Sequence, residues 1–437
     1  MSVLALEGGP KVRKGAWPKT GKRFGTEELR QVKQALEQNT LFYLFGTKTR
    51  TLCARMTRLC GRKYALACSS GSAAVHGALK ACGVGPGDEV ITSPVTDAGT
   101  ILGVIYEGAL PVFADIDPDS YNITAASIQG RLSRRTRAVI LVHLAGVPAD
   151  VKPIARLCKK RGIALIEDCA QSWGAKVDGR WVGTFGQIGA FSFNDYKHVS
   201  AGEGGLIVTD DPKLYATAWR GIDKCYDRLT GKRDVYFVAP NYRITELQSA
   251  VGIAQLGKVA SICSTRHRLG ERLSRGLAGI PGIRPHAVAP GGYATYWYYL
   301  IGLEPEVLHV DAETFGRALN AEGIAGSGRF YMEPVHLAYS YLKGKSAFFH
   351  SHYPFDLGRN EVSYERGICP NAEALLDRVY YFPLNEWLTD REIDDTIEAV
   401  RKVAAFYRER GMTARGRIAA NKGRRVAAGK KAGARRR

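Results

Sequence analysis

The chain has 437 residues, 45% of them hydrophobic, and a formal net charge of +20. That is enough for one large α/β unit with a smaller companion and a real core, and no apolar run nears the roughly 20 residues that a bilayer-crossing helix needs. The charge is uneven: residues 410–437 hold 11 Lys or Arg and no acid, leaving 51 basic against 42 acidic residues in the body.

Taken in order, the first 210 residues alternate short apolar runs with amphipathic stretches. Strands are predicted at Tyr64–Cys68, Glu89–Thr92, Leu110–Phe113, Ala138–Val142, Ile163–Ile166, Ala190–Asn194 and Gly205–Thr209. Helices are predicted between them, at Ala73–Cys82 and Val151–Arg161 among others. Continuous Val/Ile/Leu runs separated by helices predict a largely parallel sheet with crossovers. One long helix is expected over Ile244–Leu269. From about Gly270 the pattern becomes β-α-β, closing on a helix at Asp390–Arg408 with Ile393, Ile397, Val400 and Val403 on one face. Thr389 and the acids after it suit that helix's positive end. The Gly/Ala/Arg/Lys-rich tail is expected to lack ordered structure. The expected organisation is a large domain over residues 1–255, a small one over 256–409 and a basic tail over 410–437. The nine cysteines stand singly with no C-x-x-C pair. Neither zinc nor a disulfide framework is expected, and a reducing cytoplasm is the simplest setting. Met1–Gly9 lacks a basic region followed by an apolar stretch, so no secretory signal is expected.

Three places carry candidate chemistry. Ser69-Ser70-Gly71-Ser72-Ala73 follows a strand and opens a helix. Free N–H groups and the helix dipole make such a turn an anion site, although an ordinary capped turn has the same look. Asp168, in Ile166-Glu167-Asp168-Cys169-Ala170-Gln171, lies at a strand's carboxyl end, where α/β sheets collect ligands. A carboxylate there can keep a pyridine nitrogen protonated, or simply cap a helix. Lys197 stands between a strand and the turn Gly202-Glu203-Gly204-Gly205, with Ser192 five residues upstream. A lysine amine can form an imine with a carbonyl cofactor and shuttle a proton; a lone loop lysine is usually a surface group.

In this order and spacing, the three resemble fold-type I pyridoxal phosphate (PLP) enzymes, and specifically the DegT/StrS family of sugar and cyclitol aminotransferases. Further matching stretches are Gly108–Phe113 with Asp115 and Asp117, Val142–Gly146, Asn241–Gln248 and Tyr381–Leu384. The opening Leu4–Pro10 resembles the branch that aminates cyclitols and aminohydroxybenzoate precursors. The resemblance implies a mostly parallel seven-stranded sheet in the large domain, a smaller α/β C-terminal domain and a homodimer with shared active sites. It implies that Lys197 forms the Schiff base with PLP and acts as acid and base. It places Asp168 at the pyridine nitrogen and Gln171 near the ring hydroxyl. Gly71, Ser72 and Ser192 would hold the phosphate, with Asn241 reaching the neighbouring subunit's cofactor. His336 and Tyr331, in Tyr331–His336, would lie near substrate. Two positions depart from the pattern: Asp97, where many members carry a ring-stacking aromatic, and Val147, where relatives often carry a polar residue. An acid cannot stack, so either another group covers the ring or Asp97 meets substrate or donor.

The expected reaction is transfer of an amino group from glutamate or glutamine to a keto-sugar or keto-cyclitol. Two alternatives stand beside it. A sugar dehydratase of the same superfamily would carry His in place of the lysine, and His198 is one residue away. A regulatory relative would have kept the fold without the chemistry. The aromatic stretch Leu342–Asn371 either shapes substrate choice or packs the small domain. The basic tail offers charge for nucleic acid through counterion release, yet no interleaved aromatics for base stacking.

Overall fold

The computed structural model describes residues 3–232, 235–328, 333–357 and 362–433, with side chains described as far as residue 411. Seven strands form the main sheet: β1 (Tyr64–Cys68), β2 (Glu89–Thr92), β3 (Leu110–Phe113), β4 (Thr136–Val142), β5 (Ala164–Asp168), β6 (Ile188–Ser192) and β7 (Gly205–Thr209). Their order is β1-β7-β6-β5-β4-β2-β3. Neighbours from β6 through β3 run parallel, and β7 runs antiparallel to both β6 and β1. Four of the seven strands occupy the ranges predicted. β6 ends at Ser192 rather than Asn194 because its last pairing, with Gly205, closes the ladder. Asn194 then belongs to the turn that presents Lys197, whose N–H donates to the Asn194 carbonyl at 3.0 Å.

Both sheet faces are covered, which is why the strands are apolar throughout. On β4, Val139 and Leu141 enter one core while Ala138 and Ile140 enter the other, the two-residue alternation of a strand. The first core takes Leu52 and Met56 from α2 (Lys48–Cys60), which follows α1 (Thr26–Glu37). The opposite face takes Ala74, Ala78 and Leu79 from α3 (Gly71–Ala81). It also takes Ala218 and Ile222 from a later helix, Pro212–Ile222. Between these in the chain lie α4 (Ala98–Tyr106), which follows β2, and α5 (Val151–Arg161); Pro212–Ile222 is α6.

Instead of one helix over Ile244–Leu269 there are two, α7 (Glu246–Leu256) and α8 (Val259–Leu277). At the break, Lys258 Nζ donates to the Arg23 carbonyl at 2.8 Å and pairs with Glu28 at 2.6 Å. The junction thus anchors the N-terminal arm. Val259 and Cys263 of α8 lie in the large core, whereas Leu269, Leu273 and Leu277 lie in a second core. That second core surrounds the antiparallel sheet of β8 (Ile283–Arg284), β9 (Tyr299–Leu303) and β10 (Val379–Phe382), with α9 (Ala312–Ala321) against it. The two units are not simple consecutive stretches: Val335, Leu342, Phe355, Cys369 and Leu375 return to the large core.

The last helix, α10 (Asp390–Gly433), begins as expected, with Glu392 accepting from the Thr389 N–H at 2.9 Å. It differs at its end, since the helical backbone continues through the basic segment expected to be unstructured. Ala, Lys and Arg are among the best helix formers, and that local preference acts in the same direction as the helix already begun.

Candidate active site

The site lies at the carboxyl ends of the parallel strands. β1 ends at Cys68 and the chain turns directly into α3, capped by Ser70, whose hydroxyl accepts from the Ala73 N–H at 3.1 Å. The N–H groups of Gly71 and Ser72 precede any intrahelical acceptor, so they are left for a ligand. Gly71 abuts β6: a Cβ there would lie 2.7 Å from Ser192 Cβ. A glycine is therefore what lets the helix start and the Ser192 hydroxyl meet in one cradle. Ser72 faces the start of α4 in the same way, since a Cβ on Gly99 would lie 2.3 Å from Ser72 Oγ.

Asp168 ends β5, buried at the floor. Its Oδ2 accepts from Thr100 Oγ1 at 2.8 Å and its Oδ1 from the Ala170 N–H at 3.0 Å. Burial raises its pKa, against the pull of the Ala170 N–H, the Thr100 hydroxyl and Lys197. Glu167, one residue earlier, points to the opposite face. It accepts from the Gly183, Phe185 and Gly186 N–H groups at 2.6–2.7 Å and from His143 at 3.1 Å. The Ala149 N–H occupies His143 Nδ1, so Nε2 carries the proton donated to Glu167. Gln171 Oε1 accepts from the Ala145 N–H at 2.9 Å and from Tyr298 OH at 3.4 Å.

Lys197 has its pKa pushed down to about 8 by burial, opposed by Asp168, Asp97 and Glu203. A depressed ammonium pKa gives free amine near neutrality, as a nucleophile or base requires. Its Nζ stands 3.6 Å from the centre of the Trp297 ring. His198 turns the other way, fully buried, with Nε2 3.1 Å from the Thr295 carbonyl. The neighbouring histidine is thus not an alternative occupant of the lysine's place.

A cavity of about 380 Å³ is lined by Gly71, Ser72, Asp97, Thr100, Asp168, Gln171, Ser192 and Lys197. It brings together every expected cofactor residue except Asn241. Free N–H and hydroxyl groups, a buried carboxylate and a lysine lining one cavity suit the phosphate, ring nitrogen and carbonyl of PLP. A second cavity, of about 830 Å³, shares Asp97, Asn194, Tyr196 and Lys197 with the first and adds Arg23, Arg266, Trp297, Tyr381, Asn385 and Trp387.

The remaining expected residues fall elsewhere. Asn241 is exposed, lines neither cavity, and accepts from Arg243 Nε at 2.7 Å. His336 is buried, with Nε2 3.0 Å from Glu373 Oε1, and lines neither cavity. Glu373 also accepts from the Gly367 and Cys369 N–H groups, so His336 helps close that loop. Tyr331 lies outside the described residues. Asp97 caps α4, accepting from the Gly99 N–H at 2.8 Å. Val147 is wholly buried in the second core, which accounts for an apolar residue there. In the aromatic stretch, Leu342 and Phe355 are core residues while Phe349 is 98% exposed.

Sequence reasoning missed Thr100, Trp297 and Arg23. Thr100 was within reach, three residues beyond Asp97 in a helix's first turn. Trp297 had no local signal: it is brought across by Ala145, whose carbonyl accepts the Trp297 N–H at 2.7 Å. The adjacent Gly146, at φ 80°, makes that approach feasible, since a Cβ would lie 2.6 Å from the Trp297 nitrogen.

Residues 22–401 match the DegT/DnrJ/EryC1/StrS aminotransferase family. A UDP-N-acetyl-3-dehydro-α-D-glucosamine 3-aminotransferase of Acidithiobacillus ferrooxidans is 34% identical over 82% of this chain and 89% of that protein. A putative L-glutamine:3-amino-2,3-dideoxy-scyllo-inosose aminotransferase of Micromonospora echinospora is 33% identical over 76% and 81%. The crystal structure of an aminotransferase from Psychrobacter cryohalolentis superposes with a TM-score of 0.76, at 27% identity, over 90% of this chain and 99% of that one.

Proposed function

Because the chain belongs to the DegT/DnrJ/EryC1/StrS aminotransferase family, we propose that it moves an amino group from glutamate or glutamine to a ketone on a sugar or cyclitol. It is a PLP-dependent aminotransferase. The observation that carries the substrate reading is the second cavity, of about 830 Å³, open beside Lys197 and lined by Trp, Tyr, Asn and Arg side chains. Aromatic faces and hydrogen-bonding groups suit a polyhydroxylated ring. Nucleotide-linked and free cyclic ketones are named for the two relatives.

When bound, PLP supplies the carbonyl that takes up the amino group and a ring that stores the electron pair released at the donor's α-carbon. Gly71, Ser72 and Ser192 hold its phosphate. Asp168, kept in place by Thr100 and the Ala170 N–H, holds a proton at the ring nitrogen. Lys197 Nζ would carry the proton from the donor's α-carbon to the cofactor's carbonyl carbon, and in the opposite half-reaction from that carbon to the former ketone carbon, a shuttle its lowered pKa favours. Arg23, on the arm anchored by Lys258, offers its guanidinium to the donor's carboxylate.

Asn241 serves the partner's site in a homodimer on this reading. Its exposure supports this, as do the exposed Val235, Tyr236 and Val238 upstream of it. A mixture of Lys197→Ala and Asn241→Ala chains should then regain activity, since a mixed dimer contains one site with both groups intact. No helix among the described residues is long and apolar enough to cross a membrane, and nine free cysteines suit a reducing cytoplasm.

Borohydride treatment of the holoenzyme followed by peptide mapping tests the assignment. The cofactor should be found on Lys197, and Lys197→Ala should lose both the reducible linkage and turnover. A variant that keeps both overturns it. A panel of keto-sugars and inososes, with glutamate or glutamine and a spectral readout of cofactor conversion, identifies the substrate.

A further inference from the structure

We propose that Trp297 is a positioning residue for Lys197, holding the free amine over its ring whenever the lysine is not bonded to the cofactor. This rests on the aminotransferase reading above, in which Lys197 is released for half of every cycle and must stay aimed at the reacting carbon.

The geometry is specific. Lys197 Nζ lies 3.6 Å from the Trp297 ring centre, well inside the roughly 6 Å over which a cation is drawn to an aromatic face. Lys197 lines both cavities, whereas Trp297 lines only the larger. The amine thus rests on the substrate side of the cofactor cavity. The ring itself is fixed at two points. Its Nε1 donates to the Tyr196 carbonyl at 2.6 Å, and its backbone N–H donates to the Ala145 carbonyl at 2.7 Å. The first bond ties the platform to the residue preceding Lys197, so lysine and ring keep their register. The Ala145 N–H in turn donates to Gln171, which lines the cofactor cavity. An untethered lysine has four rotatable bonds and costs entropy to aim; a fixed ring face removes part of that cost before the proton is transferred.

Charge gives the proposal a readout apart from turnover. A ring face stabilises the ammonium over the amine, so it raises the lysine pKa against the burial that lowers it. Replacing Trp297 by Leu keeps the site apolar and removes the face. The pKa of Lys197 should then fall below its present value of about 8, by on the order of half to one unit.

The test uses the full-length holoenzyme in its pyridoxamine phosphate form, where Lys197 is free. Acylation of Lys197 is followed against pH by peptide mapping in wild type, Trp297→Leu and Trp297→Phe. The labelling midpoint should drop in Trp297→Leu and hold near wild type in Trp297→Phe. Both half-reactions should slow together by about tenfold in Trp297→Leu, part of the hundredfold or more that a positioned base contributes. Borohydride mapping of each variant in its PLP form separates the two readings. If the cofactor still attaches to Lys197 but the Trp297→Leu midpoint is unchanged or raised, the positioning role is wrong and the aminotransferase assignment stands. If the cofactor attaches elsewhere in wild type, the underlying assignment fails.

Discussion

At Gly71 one added methyl group would press on Ser192 Cβ at 2.7 Å, a backbone-adjacent atom that cannot swing aside. Gly71→Ala should therefore leave the fold intact and weaken PLP binding by about tenfold or more, the effect of roughly 1–3 kcal/mol of overpacking; an absorbance titration of apoenzyme with PLP measures it. Thr100 acts on charge instead. Its hydroxyl stabilises the Asp168 carboxylate, whose pKa burial already raises. Thr100→Val removes that bond and raises the pKa further. Asp168 must be ionised to pair with the ring nitrogen, so the acid limb of the kcat/KM profile should move to higher pH. The common placement of Lys197, Asp168 and Ser192 in one cavity was legible because each stands at a fixed offset from a strand end or glycine turn. Trp297 was not, because it lies 100 residues from Lys197 and is brought to it by tertiary bonds to the Ala145 and Tyr196 carbonyls.

Among the elements, β5 shows how one strand end serves two tasks. Asp168 faces the cofactor cavity while Glu167, on the opposite face, gathers three loop N–H groups and His143. Burial opposes its ionisation, but the bond from His143 and the loop N–H groups outweigh burial and lower its pKa. Glu167→Gln would turn an amide toward groups that are themselves donors. The loss should be on the order of 3 kcal/mol, as for a broken buried pair, read as a lower denaturation midpoint. Residual activity per folded molecule should fall far less than stability, since Glu167 lines neither cavity. The strands were readable from the sequence because burial on both faces makes each a continuous apolar run. The α7–α8 break was not. Apolar spacing continues across Gly257, and only the tertiary links from Lys258 to Arg23 and Glu28 show why the chain turns there.

For the whole molecule, the surplus positive charge is concentrated in residues 410–437, which hold 11 Lys or Arg and no acid. The last described packing is Gly411 against His309, beside an Arg410–Glu7 ion pair. Removing residues 412–437 should leave turnover and Tm unchanged and abolish any salt-sensitive binding to polyanions, which a filter-binding assay at two ionic strengths would show. Much of the overall plan was readable from local chemistry: a largely parallel sheet, with a small-residue turn, a strand-end acid and a lysine before a glycine turn brought to one cavity. The division of the chain between its two cores was less so. Val335, Leu342, Phe355, Cys369 and Leu375 lie in sequence between α9 and β10 of the second unit yet pack into the first core, because burial depends on which surface is left uncovered rather than on chain order. The same holds for His336, whose motif resemblance placed it near substrate but whose ring is engaged by Glu373. By itself, then, the sequence determined the sheet and the gathering of Lys197, Asp168, Ser192 and Gly71 at one cavity, since strand ends and the turns after them depend on backbone geometry a few residues long. Tertiary structure alone decided what stands over Lys197, which arginines line the larger cavity and that His336 meets Glu373, because these are contacts between segments far apart in the chain.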